Sequence, residues 1–346
     1  MSVPATPRLG NTLPPNPEWV ARLSEPALEP DLPIVDPHHH LWERESQLYM
    51  HRDLLGDLRT GHNIVATVYV DCRSMYRRDG PPEMRPIGET EFANGIAAMF
   101  ASGGFGPTRA CAGIVSYADL RLGAKVGAVL DAHVAAGNGR FRGIRYATGW
   151  DDSDEIRRTH TNPRKGLMAD STWRAGFAEL GRRGLTFDAW LYHPQLAELA
   201  DLAATFPLTS IVLDHVGGPL GYGPYARRHD EVFSTWKTSM AELARRPNVS
   251  VKVGGLGMPM GWFDFYQRSE PPTSRTLADA FRPWVESCIE LFGAERCMFE
   301  SNFPVDKITS GYGILWNAFK HLAADASASE KAALFSGTAQ RIYGLA

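Results

Sequence analysis

The chain has 346 residues, 44% hydrophobic and 22% charged, enough length and apolar content to bury a large core. Lys+Arg number 36 and Asp+Glu 39, a formal charge of −3, which speaks against nucleic-acid or anionic-membrane partners, since both need a basic face. No apolar run reaches the ~20 residues of a membrane span, residues 1–10 hold no apolar stretch for a signal peptide, and the four scattered cysteines form no C-x-x-C, so a cytoplasmic protein without disulfides is expected.

Residues 1–33 carry eight of the 24 prolines and read as an irregular tail with one short helix near 18–23. The domain reading is an extension over 1–31 followed by one unit over 32–346. Short β-branched runs then recur at 32–36, 64–71, 111–115, 141–145, 186–191, 210–214, 249–253 and 297–299. Helical patterns lie between them at 89–101, 124–136, 173–183, 195–206, 230–245 and 277–292. Strands buried on both faces and separated by helices predict a parallel sheet. Eight such units in series predict an α/β fold, a (β/α)₈ barrel, with catalytic residues at the C-terminal strand ends. No G-x-G-x-x-G or P-loop opens a helix, so nothing supports a nucleotide site.

Chemistry concentrates where a barrel mouth would be. Asp36-Pro37-His38-His39-His40 follows the first strand. Alternation along a strand places Asp36, His38 and His40 on one face and His39 on the other. Two imidazoles two residues apart can chelate one divalent metal when neutral. His193 ends the fifth strand and His215 the sixth, so four histidines converge. His51, His133, His160, His229 and His321 are read as surface or packing residues. Arg145 either clamps a substrate carboxylate or sits in a buried ion pair. Lys252 in the seventh strand needs an acid or a substrate anion. Tyr69, Tyr192 and Trp190 line a pocket or pack in the core. Residues 150–168, rich in Asp, Arg and Lys, read as a lid or, more commonly for such a charge run, as a solvated loop.

These motifs together resemble the amidohydrolase superfamily, in its amidohydrolase-2 branch of lactonases and metal-dependent decarboxylases. The matching pieces are Asp36-x-His38-x-His40-Leu41-Trp42, Gly143-Ile144-Arg145, Thr186-Phe187-Asp188 with His193, Asp214-His215-x-Gly217, and Lys252 with Gly254-Gly255-Leu256. The last is Glu300-Ser301-Asn302-Phe303-Pro304. The resemblance implies one barrel and lactone-type hydrolysis, with His38, His40 and His193 as metal ligands. It further implies His215, Glu300 and Asn302 in catalysis, and Arg145, Lys252 and Tyr192 at the substrate. A divalent metal, zinc first, is the implied cofactor. The family pattern has Gly and Asp where this chain has Glu300 and Asn302. An amide neither accepts a proton at neutral pH nor binds divalent metals well. Metal-free operation is therefore compatible with the sequence, and so is exchange of the ligand. Parity places Glu300 inward, where it either serves the histidines or pairs with Lys252. The expected partner is a small molecule bearing a carboxylate, with a homodimer expected on base rates alone. Two rivals remain: a metal-dependent non-oxidative decarboxylase, and an inactive barrel acting as a binding protein.

Overall fold

The computed structural model describes residues 13–44 and 47–345. Its main strands are β1 (Pro33–His39), β2 (Asn63–Val70), β3 (Arg109–Ser116), β4 (Phe141–Ala147), β5 (Thr186–Trp190), β6 (Ile211–Leu213), β7 (Val249–Val253) and β8 (Cys297–Phe299). They form one parallel sheet in sequence order. Its ends meet: the Asn302 N–H donates to His38 O at 2.9 Å, and the His40 N–H to Phe303 O at 2.8 Å. The result is the (β/α)₈ barrel expected from the alternating runs.

Helices Ile87–Ala101, Val126–Ala136, Ser171–Arg182, Leu196–Thr205, His229–Ala244 and Ser274–Phe292 match the expected segments, with small shifts at their ends. His51–Leu58 and Tyr312–Leu322 complete the outer ring. Local chemistry sets the boundaries. The Asp170 side chain accepts the Trp173 N–H and Thr273 accepts the Thr276 N–H, satisfying helix-start donors. Trp173, Trp236, Trp284 and Trp316 are fully buried on the inner faces of their helices.

Inside the barrel, Val35, Val68, Val115, Val212 and Met298 pack together with Tyr343. Tyr343 ends the helix Thr338–Tyr343. The lower layer of the barrel is thus filled partly by the C-terminal segment. At the other end of the chain, the short helix is Pro17–Val20, slightly earlier than expected. Trp19 Nε1 donates to Arg268 O (3.0 Å) and Lys320 Nζ to Glu29 O (2.9 Å), so this segment lies against the barrel. All four cysteines are unpaired and buried. No described helix is long and apolar enough to cross a membrane.

The face assignment at β1 needs correction. Asp36 pairs with Thr67 and His39 with Tyr69, so three steps on β1 oppose two on β2, which is a β-bulge. Val35 and Val68 point inward, so Asp36 points outward. There it accepts from Ser301 Oγ at 2.6 Å and Tyr312 OH at 3.0 Å. His39 also points outward, onto Thr67 Oγ1 at 2.8 Å. The inserted residue returns His38 and His40 to the interior. Strict alternation fails here because it assumes an unbroken pleat.

Candidate active site

The strand ends bring His38, His40, His215, Lys252, Asp188, Asp214 and Glu300 together inside the barrel, all buried. Glu300 Oε1 accepts the His215 backbone N–H at 3.1 Å and lies 2.7 Å from His215 Nδ1. Its Oε2 lies 2.9 Å from His38 Nδ1. Glu300 therefore reaches the histidines, as parity indicated, and its direct partners are these two rings. Lys252 Nζ instead donates to Asp188 Oδ2 at 2.6 Å, and lies 3.2 Å from Asp214 Oδ1 and 3.2 Å from His38 Nδ1. The direct Glu300–Lys252 pair considered from the sequence is replaced by this arrangement.

Gly254 and Gly255 make the arrangement sterically feasible. A Cβ on Gly254 would collide with the Glu300 side chain, and one on Gly255 with the His215 ring. Gly255 also has φ +67°, a conformation that L side chains rarely adopt. His215 and Val216 have φ of 55° and 47°. Such backbone costs on the order of 1–3 kcal/mol per residue and persists only where its surroundings fix it. Here the Glu300 carboxylate holds the His215 N–H, and Trp236 Nε1 donates to Val216 O at 2.7 Å.

Protonation follows from the partners. His40 Nδ1 lies 2.8 Å from Val70 O, a pure acceptor, so Nδ1 carries the proton and Nε2 a lone pair. Burial, then the Arg145 charge, holds His40 well below its ordinary pKa. Burial and the Lys252 ammonium do the same to His38, against the pull of Glu300. For Glu300, burial alone would raise the pKa, but His215 and His38 bring it down to about 2. An ionised Glu300 only accepts, so His215 Nδ1 donates to it, which fixes the ring's orientation.

A cavity of about 1120 Å³ opens above this cluster, and His40, His215, Asn302, Arg145 and Tyr192 are among its lining residues. Arg145 is spoken for in part: its Nε donates to Asp71 Oδ1 at 2.8 Å, and its Nη2 to Asp71 O. It is a buried ion pair that also faces the cavity, along with Arg73. The Tyr192 hydroxyl donates to Arg157 O at 2.6 Å, which pins the 150–168 loop. That loop forms one cavity wall, as a lid would, and brings His160 with it. His160 is thus a cavity residue, contrary to its sequence assignment, since loop geometry left no periodicity to read. Asn302 Nδ2 donates to Asp306 Oδ1 at 2.9 Å, and the other Asp306 oxygen accepts the Gly257 N–H at 3.0 Å. Burial drives Asp306 up to about 7.

His193 stays apart. Its Nδ1 accepts the Leu220 N–H at 3.3 Å and its ring packs on Tyr225. Among the described residues, the group able to hold a metal ion is His38, Asp214 and His215, whose ligand atoms lie within 4.8 Å of one another. Asp214, beside His215 in the sequence, is the residue whose ligand role the motif alone does not reveal. The donor set fits a cation. Asp214 Oδ2 is buried without a hydrogen-bond partner, while its Oδ1 lies 3.2 Å from Lys252 Nζ, so one carboxylate oxygen is left for a cation. His38 Nε2 and His40 Nε2 face each other at 3.3 Å.

The family profile described as amidohydrolase matches residues 35–345, and the chain belongs to that family. An uncharacterized protein of Sinorhizobium fredii is 35% identical over 335 residues, covering 90% of this chain and 99% of that one. A Burkholderia multivorans protein named L-fucono-1,5-lactonase is 25% identical over 90% of this chain and 96% of its own. An amidohydrolase from Burkholderia multivorans, solved with zinc bound, has a similar fold: TM-score 0.69 at 24% identity, over 90% of this chain and 99% of that one. The protein is a hydrolase of the amidohydrolase family, and such enzymes act on small molecules.

Proposed function

We propose that the protein is a lactonase, opening the ring ester of a small organic lactone with water. The observation that carries this is the Glu300–His215 pair on the cavity floor, with His215 Nδ1 2.7 Å from the carboxylate. The lactonase names of relatives support it. Glu300 fixes the His215 ring and directs its Nε2 lone pair toward the cavity. His215 takes the proton of a water as that water's oxygen bonds to the ester carbonyl carbon. The ionised Glu300 stabilises the resulting imidazolium. The ring C–O bond then breaks, and His215 returns the proton to the leaving oxygen, giving a hydroxy acid. We take the metal to be zinc, held by His38 and Asp214 with His40 beside them; when bound it supplies a Lewis acid for the carbonyl. Of the group His38, Asp214 and His215, it is His215 that lines the cavity, which supports its role in proton transfer. Arg145 and Arg73 on the wall support a carboxylate on the substrate.

The test is a pH-indicator assay on a panel of sugar lactones that includes L-fucono-1,5-lactone, with wild type and His215→Asn side by side. At least one lactone is opened by wild type far faster than by the variant. Equal rates for both proteins on every lactone would refute the reading.

A further inference from the structure

Lys252 is a fully buried ammonium directly beneath the histidines, and two carboxylates compete for it: Asp188 and Asp214. Its Nζ lies 2.6 Å from Asp188 Oδ2 and 3.2 Å from Asp214 Oδ1, between two buried carboxylates. It is thus a positive charge beside the carboxylate best placed to hold a metal. How its charge divides between Asp188 and Asp214 sets how much of Asp214 remains for a cation.

The C-terminal segment intervenes in that division. Tyr343 OH donates to Asp188 Oδ2 at 2.7 Å, the same oxygen that accepts from Lys252. The Lys252 Nζ lies 5.4 Å from the Tyr343 ring centroid. Tyr343 has no solvent exposure, and its ring packs among the interior valines. Gly344 follows in the left-handed conformation with φ 56°, and Arg142 Nη2 donates to its carbonyl at 3.3 Å. Without Cβ, Gly113 leaves room for Leu345, whose Cδ2 would otherwise meet it at 3.2 Å. Several contacts therefore seat this segment in the barrel floor.

We propose that Tyr343 is a positioning residue for the metal centre: its hydroxyl holds Asp188, Asp188 holds Lys252 low in the barrel, and Asp214 is thereby left free to bind a divalent cation. This rests on the reading that a cation occupies the His38–Asp214 region. It does not depend on which ester the enzyme hydrolyses. Loss of the hydroxyl removes the anchor that fixes the Asp188 carboxylate low in the barrel, so Asp188 can turn and Lys252 can follow it toward Asp214, where the ammonium competes with the metal.

The experiment compares wild type, Tyr343→Phe and Val68→Ala, each as the full chain. Val68 packs in the same interior cluster and makes no polar contact, so its truncation reports packing alone. Zinc affinity is measured by competition with a chromogenic chelator, and Tm by calorimetry. Tyr343→Phe binds zinc on the order of tenfold more weakly, the scale of one lost hydrogen bond to a charged group, with Tm lowered by a few degrees at most. Val68→Ala lowers Tm at least as much and keeps wild-type zinc affinity. Unchanged affinity in Tyr343→Phe overturns the proposal, as does an equal loss in Val68→Ala. A wild-type protein that takes up no zinc overturns it too, while leaving the lactone assay free to succeed or fail separately.

Discussion

Replacing Glu300 with Gln keeps the side-chain volume and removes the charge that joins two histidines. The carboxylate meets three groups: the His215 N–H at 3.1 Å, His215 Nδ1 at 2.7 Å and His38 Nδ1 at 2.9 Å. An amide has one acceptor end, so at least one ring nitrogen loses its partner or must change tautomer. A hydrogen bond to a charged group is worth roughly 1.5–3 kcal/mol. If that is lost from the transition state, kcat/KM falls by roughly ten- to a hundredfold or slightly more. Linkage adds a second signature. The folded pKa of Glu300 is depressed to about 2 from 4.5. Its stabilisation is therefore fully present above pH 4.5 and is lost as pH falls toward 2, on the order of 3 kcal/mol over that window. The assay is kcat/KM on the best lactone, together with metal content and melting curves at several pH values. A folded, metal-replete Glu300→Gln enzyme within twofold of wild type would refute the pairing of Glu300 with catalysis. A stability difference from wild type that does not shrink in acid would refute its depressed pKa.

Further outcomes separate the remaining roles. His38→Asn loses bound metal, whereas His215→Asn keeps it and loses turnover; metal analysis and rates on both variants decide, and a metal-free His215→Asn would make His215 a ligand instead. Gly255→Ala places a methyl against the His215 ring at positive φ and destabilises by roughly 2–4 kcal/mol, read by urea unfolding; an unperturbed variant would show that the ring tolerates displacement. His133, away from the site, bonds Thr90 Oγ1 and Tyr117 O, and burial lowers its pKa to about 4. The unfolded state takes a proton near 6.5, so this group's stabilisation is complete above that pH. It is lost by about 3 kcal/mol on the way down to pH 4. His133→Gln accordingly loses less stability than wild type between pH 6.5 and 4, and an equal loss would contradict the linkage.

The barrel was legible because its strands are buried on both faces and read as short β-branched runs. Their spacing left room for one helix each. The inward positions of His38, His40, His215 and Glu300 were also legible, since each sits at a strand end. Asp36 was not, because a bulge is a local backbone event without a fixed residue signature. His193 followed the family pattern but turned to a loop N–H, a contact set by the conformation of the segment after β6. Asp214 and Asp188 stand in the motifs that match the family, but their role is visible only through their shared hold on Lys252, a long-range contact that no spacing encodes. Tyr343 lies 155 residues from Asp188 in the chain, and nothing in its local sequence marks it as interior to the barrel.

The central claim is hydrolysis of a lactone by water, with His215 carrying the proton. The most direct measurement is mass spectrometry of the product formed in oxygen-18-enriched water. The prediction is a ring-opened hydroxy acid with one heavy oxygen in its new carboxylate, formed by wild type and not above the spontaneous rate by His215→Asn. An organic-acid substrate that instead loses carbon dioxide, with no lactone opened, would contradict the account and favour decarboxylation.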